Sequence, residues 1–290
     1  MREALDSFMV YLADEKNMSE NTRMSYKRDL VKLEAYCSQL AIHKADQVST
    51  ANLKSYLAYM DAGEFKAATI SRSVASIRAF FRYLCDENML ESDPSEGLQA
   101  PKIEKHVPEV LTQDEVKRLL EQPGKADPKG VRDTAMLELL YATGMRVSEL
   151  IGLRMSDLDM IRGLITCSGR TIPFGIKAKD ALEEYLDKAR DAMLKGNQTD
   201  ILFPSCLGEP MSRQGFWKLI KAYGKKAGIE MEITPHTLRH SFAAHLMANG
   251  ADVHSVSTML GHSDVYTTQV YAQIGKNEMR KVYTETHPRG

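Results

Sequence analysis

TPHTLRHSF, residues 234–242, reads as the opening of a helix that sets the character of the second half of the chain. Thr234 is an N-cap residue, Pro235 suits the first helical turn, and Asn249-Gly250 marks the far end, so the helix is expected from His236 to Asn249. On it His236 and Arg239 lie three residues apart and share a face, a ring that forms a cation beside a guanidinium fork, which suits a phosphate. A zinc reading competes, because His236 and His240 are four apart. The glutamate of zinc helices is missing, however, and Arg239 adds a repelling charge. The plainest reading is that both histidines satisfy buried hydrogen bonds.

Working outward, ATGMRVSELIGL, residues 142–153, places Arg146 after a glycine turn and just before a helix holding Glu149, Leu150 and Leu153. Taken alone, such an arginine is ordinarily a surface cation paired to an acid. MLGHSDVYTTQVYAQI, residues 259–274, has a Leu-Gly-His turn at His262 and then a short helix ending at Tyr271. Between them RGLITCSGRTIPF, residues 162–174, carries β-branched residues on either side of Ser-Gly and predicts a short two-stranded hairpin. Thr112 with Glu115 forms a capping box for a helix through Leu120, Arg132 to Tyr141 keeps the helical period, and the sequence beyond Lys177 is again mostly helical.

The first hundred residues predict a helical bundle. Apolar residues recur at helical spacing in Leu30, Leu33 and Cys37, in Leu53, Leu57 and Met60, and in Ile70, Val74, Ile77, Phe81 and Leu84. SDPSEGLQAPKIEKHVPEV, residues 92–110, then gathers three prolines with glycine and charge, a composition that resists packing and suits a linker. The expected fold is therefore mainly α in two domains. Residues 1–100 form a helical domain, 101–110 a linker, and 111–290 an α-rich domain with a small β-sheet.

With 290 residues and 43% hydrophobic content the chain buries ample core. No stretch is apolar for long enough to span a membrane, and acids stand where a signal peptide would be apolar, so a cytoplasmic protein is expected. Cys37, Cys85, Cys167 and Cys206 are scattered without a C-x-x-C pair and suggest neither zinc nor disulfides. The net charge of -1 is unlike a basic nucleic-acid binder, but charge is segregated locally. Residues 65–85 hold Lys66, Arg72, Arg78 and Arg82 without an acid; residues 211–228 hold Arg213, Lys218, Lys221, Lys225 and Lys226, again without an acid and with Trp217 and Tyr223 interleaved. These are candidate phosphate-binding surfaces. The alternative is a pair of solvated helix faces.

Arg146 in T-G-x-R-x-S-E-L, His236 to His240 as H-x-x-R-H, His262 in L-G-H-S and Tyr271 in T-T-Q-x-Y together resemble the tyrosine recombinases, over nearly the whole chain, and the HPRG ending resembles the Xer type. The resemblance implies a SAM-like core-binding domain, a catalytic domain and a C-shaped clamp on double-stranded DNA. It also implies transesterification with no metal or cofactor, through a 3′-phosphotyrosyl bond to Tyr271. A phenol of pKa about 10 needs a proton acceptor, and His236 is expected in that role. Arg146 and Arg239 would bond the non-bridging phosphate oxygens, His262 would add a hydrogen bond, and Glu149 and His240 would support them. Recombinases of this type work as four protomers, self or sister, on two duplexes and exchange C-terminal tails.

The sequence departs from the family at the hairpin, where a lysine in a G-K-G-x-K-x-R-like stretch serves as general acid. CSGRTIP replaces that stretch, Arg170 matches its closing arginine, and no lysine lies between Met155 and Lys177. Three explanations stand open. Arg170 supplies a cation although a guanidinium is a poor proton donor; Lys177 or Lys179 reaches in; or the protein binds and synapses DNA and cleaves slowly or not at all. A nicking and closing enzyme like the type IB topoisomerases is a further alternative.

Overall fold

The computed structural model describes residues 1–102, 108–262, 267–268 and 271, which divide into two compact units at 105/106. The first contains α1 (Arg2–Asp14), α2 (Glu20–Gln39), α3 (Thr50–Ala62) and α4 (Ala67–Asp86). Ser19 caps α2 by accepting from the Thr22 N–H, and Ser49 and Asn52 cap α3 reciprocally. The predicted apolar stripes meet in one core with Leu5, Phe8 and Leu12 of α1. On α3 the stripe is shifted: Tyr56 is fully buried beside Leu53 and Met60, while Leu57 is half-buried at the margin.

Two corrections concern this unit. The proline-bearing segment packs further than its composition suggests. Ser95 and Leu98 are buried, Arg78 donates to the Leu98 carbonyl, and Ser71 donates to the Pro101 carbonyl, so the unit continues to Pro101. The expected linker 101–110 lies partly outside the described residues. Nor is the basic face of α4 uniformly free. Arg72 holds the buried Asp29 through two bonds of 2.8 and 2.9 Å, whereas Lys66 and Arg82 are exposed.

In the second unit, α6 (Pro128–Thr143) is the central helix, buried on nearly every side among α5 (Gln113–Leu120), α8 (Ile176–Lys188), α9 (Arg190–Leu194) and α11 (Pro235–Ala248). The hairpin forms as read, β2 (Leu164–Cys167) with β3 (Arg170–Pro173), across a Ser168-Gly169 turn in which both residues have positive φ, 47° and 75°. A short strand, β1 (Leu158–Asp159), pairs with β2 and makes the sheet three-stranded and antiparallel. The buried Arg132 holds Asp133 and the Pro204 carbonyl; Tyr223 of α10 (Arg213–Lys226) donates to the other oxygen of Asp133 at 2.8 Å. That network fixes α10 against α6. Cys37 and Cys167 are buried, Cys206 is exposed, and the four cysteines are free thiols.

Candidate active site

Two glycine turns assemble the site. Gly144 ends α6 at φ 60°, and a Cβ there would stand 2.2 Å from the Phe242 ring, so only glycine fits on both counts. Gly261 ends α12 (Val253–Leu260) at φ 64°. The two helix C-termini present carbonyls whose partial negative charge attracts cations, and three arginines take them. Arg239 donates to Gly144 and Leu260, each at 2.7 Å; Arg146 donates to Gly261 at 3.3 Å; Arg170 donates to Met259 at 2.9 Å.

The three arginines are not equivalent. Arg170 is clamped to both oxygens of Glu149 at 2.8 and 2.7 Å and its side chain is 12% exposed, whereas Arg146 makes one bond to Glu149 at 3.2 Å and is 43% exposed. The Arg146 backbone N–H also donates to Glu149 at 2.7 Å. Burial works to raise the Glu149 pKa, but the Arg170 fork and the Arg146 N–H outweigh it and hold the carboxyl at about 2. Arg239 is 4% exposed; burial, with Arg146 nearby, pushes its guanidinium down to about 10. It remains a cation at neutral pH.

Arg146, His236 and Arg239 line one cleft of about 550 Å³, and Arg213, Gln214 and Trp217 of α10 form its far wall. The sequence signal for Arg213 and Trp217 was the acid-free stretch 211–228; Gln214 gave none. His236 stacks on His240 with ring centroids 6.1 Å apart. Among the described residues no third side chain joins this pair as a metal ligand.

Tyr271 is 4% exposed and packs against Phe242, Val256 and Leu260. Its hydroxyl lies 2.6 Å from His240 Nδ1, so the histidine read as a supporting group touches the tyrosine oxygen, and His236, expected as the acceptor, does not. Burial lowers the His240 pKa to about 4, with His236 adding repulsion, so the imidazole is uncharged at neutral pH. Burial likewise raises the Tyr271 pKa, against a smaller opposing pull from Arg239. His262 Nδ1 lies 2.8 Å from Thr268 Oγ1, and burial followed by the three arginines lowers its pKa to about 4. Thr268 escaped the sequence reading although it stands inside the T-T-Q-x-Y motif.

Among the described residues no lysine lines the arginine cleft or the hairpin side of α7. Lys177 lines a separate groove with Glu138 and Tyr141, Lys179 is 3.9 Å from Glu183, and Arg170 is committed to Glu149 and Met259. The expected role of the tail after Tyr271 falls on 272–290, outside the described residues. Among the described residues no helix is long and apolar enough to cross a membrane.

Comparison with known proteins gives the family and the fold. Residues 109–278 match the phage integrase family and residues 5–88 its N-terminal SAM-like domain. The chain is 44% identical over 297 residues to tyrosine recombinase XerD of Oceanobacillus iheyensis, covering 99% of this chain and 98% of that one. The fold is shared with XerH site-specific recombinase bound to palindromic difH substrate (TM-score 0.75, 21% identity, 93% of this chain and 81% of that one). It is also shared with a lambda integrase dimer bound to a COC′ core site (TM-score 0.73, 20% identity, 94% and 95%). Helical SAM-like unit, arginine-lined cleft and tyrosine on a histidine thus occur together in a chain that belongs to the phage integrase family and is a tyrosine recombinase.

Proposed function

We propose that the chain performs site-specific recombination by breaking and rejoining duplex DNA through Tyr271, in resolving chromosome dimers or in moving a mobile element, as a tetramer of itself or with a sister recombinase in the cytoplasm. The observation that carries this reading is the meeting of Arg146, His236 and Arg239 in one cleft, with the Tyr271 hydroxyl on His240 of the same helix. Arg239 spends two of its N–H groups on carbonyls. Its remaining donors, with those of Arg146, then face the non-bridging oxygens and offset the charge of the pentacoordinate transition state. Tyr271 attacks phosphorus in line and its proton passes to His240 or His236; His262 bonds the same phosphate.

Lys66, Arg82, Arg213, Lys218 and Lys225 are exposed and supply phosphate contacts that hold the duplex without reading its sequence, and Arg78, also exposed, adds the donors it does not spend on the Leu98 carbonyl. Arg72 and Lys221 contribute less, since each is already paired, to Asp29 and to Glu232. The test uses a site selected from a randomised duplex pool by binding, then nicked to trap cleavage. Wild type is expected to give a covalent protein–DNA band under denaturing electrophoresis and Tyr271→Phe none. A band with both proteins would remove Tyr271 from the mechanism.

A further inference from the structure

Expelling the 5′-oxygen of a sugar as an alkoxide is slow unless the oxygen is protonated as it leaves, and the structure restricts which groups could do this. Among the described residues no lysine lines the arginine cleft or the second cleft, of about 450 Å³, between α7 (Val147–Leu150) and the hairpin turn. The cations at the arginine cleft are guanidiniums; Arg239 is committed to the Gly144 and Leu260 carbonyls, and in the function proposed above its remaining donors and those of Arg146 face the non-bridging oxygens. The cleft on the hairpin side is lined by Glu149, Asp157 and Ser168. His240 and His236 form one stack whose inner member holds the tyrosine hydroxyl. In an in-line displacement the entering and leaving oxygens lie on opposite sides of phosphorus, so a group at the entering side is misplaced to protonate the departing one. Two candidates remain: His262, whose Nδ1 lies 2.8 Å from Thr268 Oγ1 and which the function proposed above places on the phosphate itself, and Arg170, which holds both oxygens of Glu149 and the Met259 carbonyl.

We propose that this chain cleaves DNA without proton donation from the protein to the departing 5′-oxygen, and that Arg170 is a positioning residue that ties Glu149 and the end of α12 to the hairpin. The inference rests on the function proposed above. In the step, the bond from Tyr271 Oη to phosphorus forms and the bond from phosphorus to O5′ breaks. The tyrosine proton goes to the histidine stack, and O5′ takes its proton from water. Cleavage is then limited by the leaving group, and the reverse ligation, in which the 5′-hydroxyl attacks, likewise surrenders its proton to solvent.

The experiment compares two nicked duplexes of the selected site with the full-length protein, one with the ordinary 5′-oxygen and one with sulfur in the 5′-bridging position. A thiolate leaves without needing a proton. The expected result is covalent adduct at least ~100-fold faster with sulfur, the size of contribution a general acid makes. Rates within about threefold of each other would show that the protein already protonates the oxygen, and would overturn the proposal while leaving Tyr271 as nucleophile. Adduct with neither substrate, on DNA that the protein demonstrably binds, would instead overturn the recombinase chemistry proposed above and this inference with it. Arg170→Gln separates positioning from proton donation. Equal slowing of both substrates is expected, and slowing of the oxygen substrate alone would make Arg170 the donor. If that variant does not fold, the wild-type ratio decides alone.

Discussion

Two clefts flank α7, and Ser148 lines both, yet they are opposite in charge. Among the described residues, one gathers Arg146, Arg213, His236 and Arg239 with no acid on its walls; the other has Glu149 and Asp157 with no base. The division follows from one carboxylate. Glu149 satisfies Arg170 with both oxygens, which leaves Arg146 half exposed and weakly held. A net charge of -1 thus coexists with an unopposed cationic cleft because the acids are sorted to the other side of a single helical turn. Which arginine is already bonded, more than how many there are, decides where a phosphate can sit.

The comparison breaks most violently at Glu149. Glu149→Ala leaves Arg170 buried without its counter-ion, and removing one partner of a buried pair costs about 3–5 kcal/mol. Urea unfolding of Glu149→Ala is expected to show that loss, and Glu149→Ala with Arg170→Leu to recover much of it. A loss under about 1 kcal/mol would mean that the pair does not organise the hairpin. On the other side of α7, Arg239→Ala is expected to slow adduct formation by about 100- to 1,000-fold, as loss of one transition-state donor does. Ser168→Ala, on the acidic side, is expected to change it less than twofold.

Sequence patterns showed most of this molecule because most of it rests on local rules. The Thr112 and Thr234 caps, the Gly144 turn and the Ser168-Gly169 hairpin are each written in a few adjacent residues. What they could not show was partnership across the fold. Asp29 takes Arg72 from 43 positions away, Arg170 finds Glu149 at a separation of 21, and Tyr271 meets His240 across 31. Each of these contacts changes what a residue can do, turning a DNA-facing arginine into a structural one or a supporting histidine into the tyrosine's neighbour. Tyr56 displaced Leu57 from the core for the same kind of reason, its ring packing against Tyr36 of α2 at 5.3 Å.

Acid should distinguish the two units. His240 and His262 have folded-state pKa values of about 4, below the ordinary 6.5, so between these values the unfolded chain binds more protons than the folded one. Their contribution to stability is complete above about pH 6.5 and is lost as pH falls toward 4. Glu149, held at about 2, adds a further loss below about pH 4.5. Trp217 is the single tryptophan and lies in the second unit, so its fluorescence follows that unit alone. The urea midpoint read from Trp217 is expected to fall between pH 7 and 5. An unchanged midpoint would mean that the imidazoles are as easily protonated in the fold as out of it.

The smallest expected effect is also the most selective. Arg213 lines the cationic cleft and makes no ion pair among the described residues, so bound DNA gives it a phosphate and releases a counterion. Arg213→Ala should reduce the slope of log affinity against log salt by about 0.9 and weaken binding by a similar factor on every sequence. Asp157→Asn, across α7, should leave that slope unchanged because no phosphate lies in the acidic cleft. Arg72→Ala provides the sharper contrast. Its fork already holds Asp29, so its removal should cost stability in the first unit and leave the salt slope nearly intact. If instead Arg72→Ala lowered the slope as much as Arg213→Ala, the Asp29 pair would have to open on DNA. Charge on α4 would then be released by binding, whereas in the catalytic cleft it is built in beforehand.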